Sequence, residues 1–82
     1  MNANTKKAID EFIKERNEAL FSLDEEKIRA YSKKYGVKLP KSEKAFWGGV
    51  YKAIYNITNA PADLKEFAKN WLLINGFSLT ID

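Results

Sequence analysis

The fold of this chain depends most on residues 45–57, which read Ala45-Phe46-Trp47-Gly48-Gly49-Val50-Tyr51-Lys52-Ala53-Ile54-Tyr55-Asn56-Ile57. On an α-helix, with about 100° between successive residues, the apolar side chains of this stretch fill an arc of roughly 200°. That arc is far wider than the apolar stripe of an ordinary surface helix. The stretch therefore predicts a helix that other elements cover on several sides.

Length and composition limit what the chain can do. Its 82 residues, with 45% hydrophobic and 30% charged, suffice for one domain, which we predict to span residues 1–82. Cysteine and histidine are both absent, which excludes disulfides, thiol chemistry and zinc sites and removes the usual general base. We therefore expect no catalytic residue, no metal and no cofactor. No apolar run approaches the ~18 residues of a membrane span and no signal-peptide core is present, so we expect a cytoplasmic protein with no membrane partner.

Apolar spacing and helix-end signals predict two helices in the first half of the chain. The first runs from about residue 5 to residue 21, with apolar side chains three and four positions apart. The second begins at a capping box, in which Ser22 is the N-cap and Glu25 reaches back to it. It ends before Gly36, which suits the left-handed conformation that often follows a helix.

The second half predicts two further helices and a tail. Ser42 is the expected N-cap of the third helix, which runs to about Ile57, and Pro61 opens a fourth helix that ends before Gly76. Residues 77–81 alternate in polarity, which fits a short strand or a docked extended tail. The predicted fold class is all-α: a compact four-helix domain with the third helix most buried and a short extended C-terminal tail. The fourth helix is expected to carry one apolar face, formed by Leu64, Phe67, Ala68, Trp71, Leu72 and Ile74.

One side of the third helix is lean, and this lean face consists of Ala45, Gly48, Gly49, Lys52 and Asn56. Two glycines inside a helix cost roughly 1 kcal/mol each relative to alanine, so something benefits from the missing side chains. One explanation is close approach of another helix of the same domain, or a bend at the glycine pair. The other explanation makes the lean face a candidate partner groove, open to the backbone of another protein.

Charge is distributed unevenly along the chain. The net charge is −3 over residues 1–26, +7 over residues 27–52 and −1 over residues 53–82. The basic connector between the second and third helices is therefore a candidate polyanion patch, because helix amides at the start of the third helix add to its positive field. The alternative is that its lysines are solvated or complement the dipole of the second helix. The patch consists of Lys33, Lys34, Lys38, Lys41, Ser42 and Lys44.

Two single side chains allow the helix orientations to be checked. Arg16 falls near the middle of the apolar arc of the first helix, so we expect it to be mostly buried and to touch an aromatic ring. Leu73 points away from the apolar face of the fourth helix. Either the tail covers it, or it belongs to an exposed apolar patch suited to self-association or to a protein partner.

Three segments carry a resemblance to known proteins: Ser22–Tyr31 (SLDEEKIRAY), Ala45–Ile54 (AFWGGVYKAI) and Trp71–Phe77 (WLLINGF). They resemble segments of short uncharacterised proteins of Gram-positive gut bacteria and their mobile elements. The resemblance covers most of the chain and implies no activity. It implies instead a helper role in a phage or conjugative element, such as that of an inhibitor or accessory binder.

Taken together, these features predict a small non-enzymatic binding module that acts through a protein partner, which the sequence does not identify. The alternative is weak, sequence-independent binding of nucleic acid or another polyanion through the basic connector. An enzyme is least favoured, because the carboxylates fall on outward faces or at a helix start, where solubility and the helix dipole explain them. We expect a monomer or a weak dimer.

Overall fold

A computed structural model describes residues 3–80, and it describes side chains from Thr5 onward. Within those residues no strand occurs. The helices are α1 (Ala3–Ser22), α2 (Glu25–Tyr35), α3 (Glu43–Asn56) and α4 (Ala62–Ile74). The predicted all-α class with four helices is thus confirmed. Ile81, the last residue of the predicted tail, lies outside the described residues.

The chain divides into two compact units. Met1–Val37 contains α1 and α2, and Lys38–Asp82 contains α3 and α4. In each unit the two consecutive helices pack against each other. The division does not test the expected single domain over residues 1–82, which stays a prediction.

The start of α2 differs from the predicted capping box. Asp24 is the N-cap, and its Oδ1 accepts hydrogen bonds from the amides of Glu26 at 2.9 Å and Lys27 at 3.4 Å. Ser22 is the last residue of α1, and its hydroxyl donates to a carbonyl of the preceding turn at 2.6 Å. The prediction of Ser22 as the N-cap was wrong because α1 continues through that residue, which leaves the capping position to the next polar side chain.

The other predicted helix ends are confirmed. Gly36 follows α2 in the left-handed conformation with φ 68°. The Ser42 hydroxyl caps α3 by accepting an amide hydrogen bond at 3.3 Å. After α4, Gly76 has φ 78°, and the amide of Phe77 donates to the carbonyl of Leu72 at 2.8 Å. This pattern satisfies carbonyls that the helix end would otherwise leave unpaired.

The second unit has its core along α3. Five residues of α3 are buried, more than in any other helix of the described chain, which confirms α3 as the most buried helix. They are Phe46, Gly48, Val50, Tyr51 and Ile54. From α4, Ala68 and Leu72 are fully buried, and the ring of Trp71 lies 4.8 Å from that of Tyr51. The core therefore combines aromatic and aliphatic side chains, with α4 contributing one narrow buried stripe.

Candidate functional site

The chain's own tail covers part of the lean face of α3. A Cβ added to Gly48 would lie 2.8 Å from both Cε1 and Cζ of the Phe77 ring. The Asn56 side-chain amide donates to the Leu79 carbonyl at 3.0 Å. Around Gly49, in contrast, nothing lies within 4 Å of an added Cβ, and the residue is exposed. Close approach within the same chain thus accounts for Gly48, although the approaching element is the tail and not a helix.

The remaining members of the candidate partner groove lie beside this contact. Ala45 is partly buried, and the Nζ atom of Lys52 lies 5.9 Å from the centroid of the Phe77 ring. Lys44, from the candidate polyanion patch, lies at the same distance from that ring. The ring also stacks on Trp71, with centroids 5.7 Å apart and planes 24° apart. Lys44 and Lys52, both within the basic residues 27–52, therefore face an aromatic ring of the tail.

In the first unit, the basic end of α2 is tied to α1. Lys33 is exposed, whereas Lys34 Nζ donates to both carboxylate oxygens of Glu15 at 2.9 and 3.0 Å. The Tyr35 hydroxyl donates to the same carboxylate at 2.6 Å. Hydrogen bonds from Tyr35 and Lys34 hold the pKa of Glu15 below its usual value, and the bond to Glu15 raises the pKa of Lys34. The positive charge of Lys34 is thus paired within the unit.

In the second unit, the basic connector is left with fewer available groups than predicted. The Ser42 hydroxyl is engaged as the cap of α3, and Glu43 places a carboxylate in the first turn of that helix. Lys38 and Lys41 are exposed, and neither forms an ion pair within the described part of the chain. These two lysines, like the exposed Lys33 of the first unit, have no ion pair among the described residues and are accessible to an external anion.

α4 exposes three large apolar side chains. Phe67 is 52% exposed, Leu73 55% and Ile74 83%. Phe67 and Ile74 lie on the same side of the helix, whereas Leu73 points in another direction. Of the predicted apolar face, only Ala68 and Leu72 are fully buried, whereas Phe67 and Ile74 are exposed. For Leu73, the exposed alternative holds among the described residues, since the tail contacts α3 at Gly48 instead.

The aromatic residues of the first unit form their own cluster. The ring of Phe12 contacts Tyr35 edge to face at 4.8 Å and Tyr31 at 5.7 Å. Arg16 is partly buried, and its Nε and Nη2 donate to the Asn17 side-chain oxygen at 3.2 and 3.0 Å. Burial raises the pKa of Tyr31, and the charge of Arg16 opposes that rise. Arg16 is thus partly rather than mostly buried, and it donates hydrogen bonds to a neighbouring amide.

A shallow depression of about 400 Å³ adjoins this cluster, lined in part by Glu18, Lys27 and Tyr31. It is open and carries charges of both signs.

Over residues 3–80, no group of three or more acidic side chains is placed to hold a metal ion. None of the helices in that range combines the length and apolar character needed to cross a membrane.

The described chain belongs to the all-α class, with two units that each contain a pair of helices. Comparison with models of protein families, with curated proteins and with solved structures found no match. The resemblance to short proteins of Gram-positive gut bacteria stays a prediction.

Proposed function

We propose that this chain is a small non-enzymatic module that binds a partner protein through the apolar stripe of α4, formed by Phe67 and Ile74. The observation that carries the proposal is their exposure of 52% and 83%. Single exposed apolar residues are common on protein surfaces, but two large ones on the same side of one helix favour a protein contact. The absence of cysteine and histidine supports a non-enzymatic role.

The spacing of the stripe favours a particular kind of partner. Phe67 and Ile74 are two turns apart on one side of α4, and the partly buried Trp71 lies between them. Anchors at such spacing are typical of an amphipathic helix that lays its apolar side into a groove. Exposed Glu66 and Asn70 supply a polar rim. The partner would therefore present an apolar groove of about two helical turns.

The setting of this role is also part of the proposal. The resemblance of Ser22–Tyr31 and the other two segments to proteins of mobile elements supports a helper role in such an element, exerted in the cytoplasm. We propose a monomer or a weak dimer in solution.

The experiment compares two baits that each lose two exposed apolar side chains. Phe67→Ser with Ile74→Ser alters the α4 stripe, whereas Ile9→Ser with Ile13→Ser removes two exposed apolar residues of α1. Proteins captured from the native host by the wild-type chain are purified, and their affinities are measured by calorimetry. The α4 variant should bind at least about tenfold more weakly, equivalent to ~1.4 kcal/mol, and the α1 variant within about twofold of wild type. Equal binding by both variants, with helicity unchanged, would contradict the proposal.

A second candidate function is weak polyanion binding through the basic connector, and the exposed, unpaired state of Lys38 and Lys41 favours it. Lys38→Glu with Lys41→Glu should abolish binding of single- and double-stranded nucleic acid. Lys6→Glu with Lys7→Glu on α1 makes the same charge change elsewhere and should leave binding nearly unchanged. Binding must also weaken steeply with salt, because it depends on counterion release. Absence of binding at low salt would eliminate this function.

A further inference from the structure

The ring of Phe77 is held by groups from both helices of the second unit. We call the four residues around this ring the Phe77 seat: Gly48, Trp71, Lys44 and Lys52. Gly48 provides space for the ring, Trp71 stacks on it, and the two ammonium groups lie 5.9 Å from its centroid. The seat therefore combines an aromatic surface with two positive charges, and an aromatic side chain already occupies it.

Noncovalent contacts hold the tail at the seat. Gly76 turns the chain with φ 78° and has nothing within 4 Å of an added Cβ. Beyond Phe77, the Asn56 amide holds the carbonyl of Leu79, while the Ser78 hydroxyl donates to a carbonyl of the tail itself. Ser78 is exposed. Release of the tail thus requires the Phe77 ring to leave its seat and the hydrogen bond between Asn56 and Leu79 to break.

The positive charges of Lys44 and Lys52 indicate which kind of ligand would compete with Phe77 for the seat. Within the described residues neither Lys44 nor Lys52 forms an ion pair, and residues 76–80 contain no carboxylate side chain. An aromatic ring attracts each ammonium group weakly, whereas a nearby carboxylate attracts it more strongly and over a longer range. A segment that offers both groups would gain interactions that residues 76–80 do not provide.

We propose that the Phe77 seat is a docking site for an extended acidic peptide segment that carries an aromatic side chain, and that Phe77 closes the site in the free chain. The proposal does not depend on the anchors of the α4 stripe, because Phe67 and Ile74 are not part of the seat, although Trp71 adjoins both surfaces. The charge complementarity favours an acidic partner over the tail of a second copy, since residues 76–80 of that tail are uncharged and its carboxylate residue, Asp82, comes five positions after Phe77.

The experiment uses two capped peptides as probes. One repeats residues 75–80, Asn-Gly-Phe-Ser-Leu-Thr, and the other is its acidic counterpart, Asp-Gly-Phe-Glu-Leu-Thr. Binding to wild type, Phe77→Ala and the double variant Phe77→Ala with Gly48→Ala is followed by NMR of the Trp71 indole and the Asn56 amide. The acidic peptide should bind the Phe77→Ala chain at least tenfold more tightly than wild type. The Gly48→Ala change should abolish this binding, because the added Cβ takes the space of the ring.

Further variants test the charges of the two lysines and test release of the tail in a chain that retains Phe77. Lys44→Gln with Lys52→Gln should remove the preference for the acidic peptide over the neutral one. Asn56→Ala weakens the hold on the tail, so it should raise the affinity of the otherwise wild-type chain even if Phe77→Ala does not fold.

Three results would overturn the proposal. The first is no binding of the acidic peptide to a folded Phe77→Ala or Asn56→Ala chain. The second is equal binding to wild type and to Phe77→Ala. The third is a concentration-dependent dimer of wild type that Phe77→Ala abolishes, because the occupant would then be the tail of a second copy.

Discussion

Phe77 and Gly48 are in contact so close that an added Cβ on Gly48 would lie 2.8 Å from two ring carbons. At Gly49, one position further along α3, the same addition meets nothing within 4 Å. Two adjacent glycines of one helix therefore differ in what they contribute: Gly48 makes room for a ring, and Gly49 faces open space.

The first prediction follows from this difference. Gly49→Ala should stabilise the chain by about 0.5–1 kcal/mol, because alanine has the higher helix propensity and loses less backbone entropy on folding. Gly48→Ala should not show this gain, since its Cβ forces the Phe77 ring to move. Urea unfolding followed by circular dichroism measures both variants. An equal gain at the two positions would show that Phe77 does not occupy the space above Gly48 in solution.

A second prediction concerns the start of α2. Asp24→Ala removes a side chain that accepts two backbone amides, and it should cost about 1 kcal/mol of unfolding free energy. Ser22→Ala removes a hydroxyl at the end of α1 and should cost less. Thermal or urea unfolding of the two variants decides which residue is the cap. A larger loss from Ser22→Ala would restore the capping box that the sequence predicts.

The third prediction separates the two sides of α4. Leu72 is fully buried, so Leu72→Ala should cost about 2–5 kcal/mol through lost burial and a residual cavity. Ile74 is 83% exposed, and Ile74→Ala should change the unfolding free energy by no more than about 0.5 kcal/mol. Chemical denaturation monitored by tryptophan fluorescence compares them. A large loss from Ile74→Ala in a monomer would contradict the exposed stripe on which the proposed function depends.

The fourth prediction is a pH dependence of the first unit. Tyr35 and Lys34 lower the pKa of Glu15 in the folded state, so their bonds to it stabilise the fold above the unfolded glutamate pKa of about 4.3. This contribution is lost as the pH falls through the lower, folded pKa. Glu15→Gln should therefore reduce stability at pH 7, and its difference from wild type should shrink towards zero in acid.

The bonds of Lys34 and Tyr35 to Glu15 also lose their contribution to stability at high pH. The pKa values of Lys34 and Tyr35 are raised by their bonds to Glu15, so their contribution is complete below the unfolded values of about 10 and is lost as the pH rises through the folded ones. Unfolding curves of wild type and Glu15→Gln across the pH range measure both limits. Glu18→Gln, which removes an exposed carboxylate from the same helix, is the control. The same pH profile in both variants would contradict a specific role for Glu15.

Helix ends were predictable wherever they depend on a few neighbouring residues. Gly36 and Gly76 mark positions of positive φ, and Ser42 supplies an oxygen to unpaired amides, so each could be recognised from the local sequence. The error at Ser22 has the same origin. Ser22 and Asp24 both carry capping side chains, and the local pattern could not decide how far α1 continues.

The sequence by itself determined the helical class, the burial of α3 and the existence of a lean face, because periodicity and composition express which side chains avoid water. Only the tertiary structure decided which element covers each part of those surfaces. α4 carries more apolar surface than its contact with α3 conceals, which leaves Phe67 and Ile74 exposed. The pairing of Phe77 with Gly48 joins residues far apart in the chain, and such a contact depends on the path of the backbone, which no local pattern encodes.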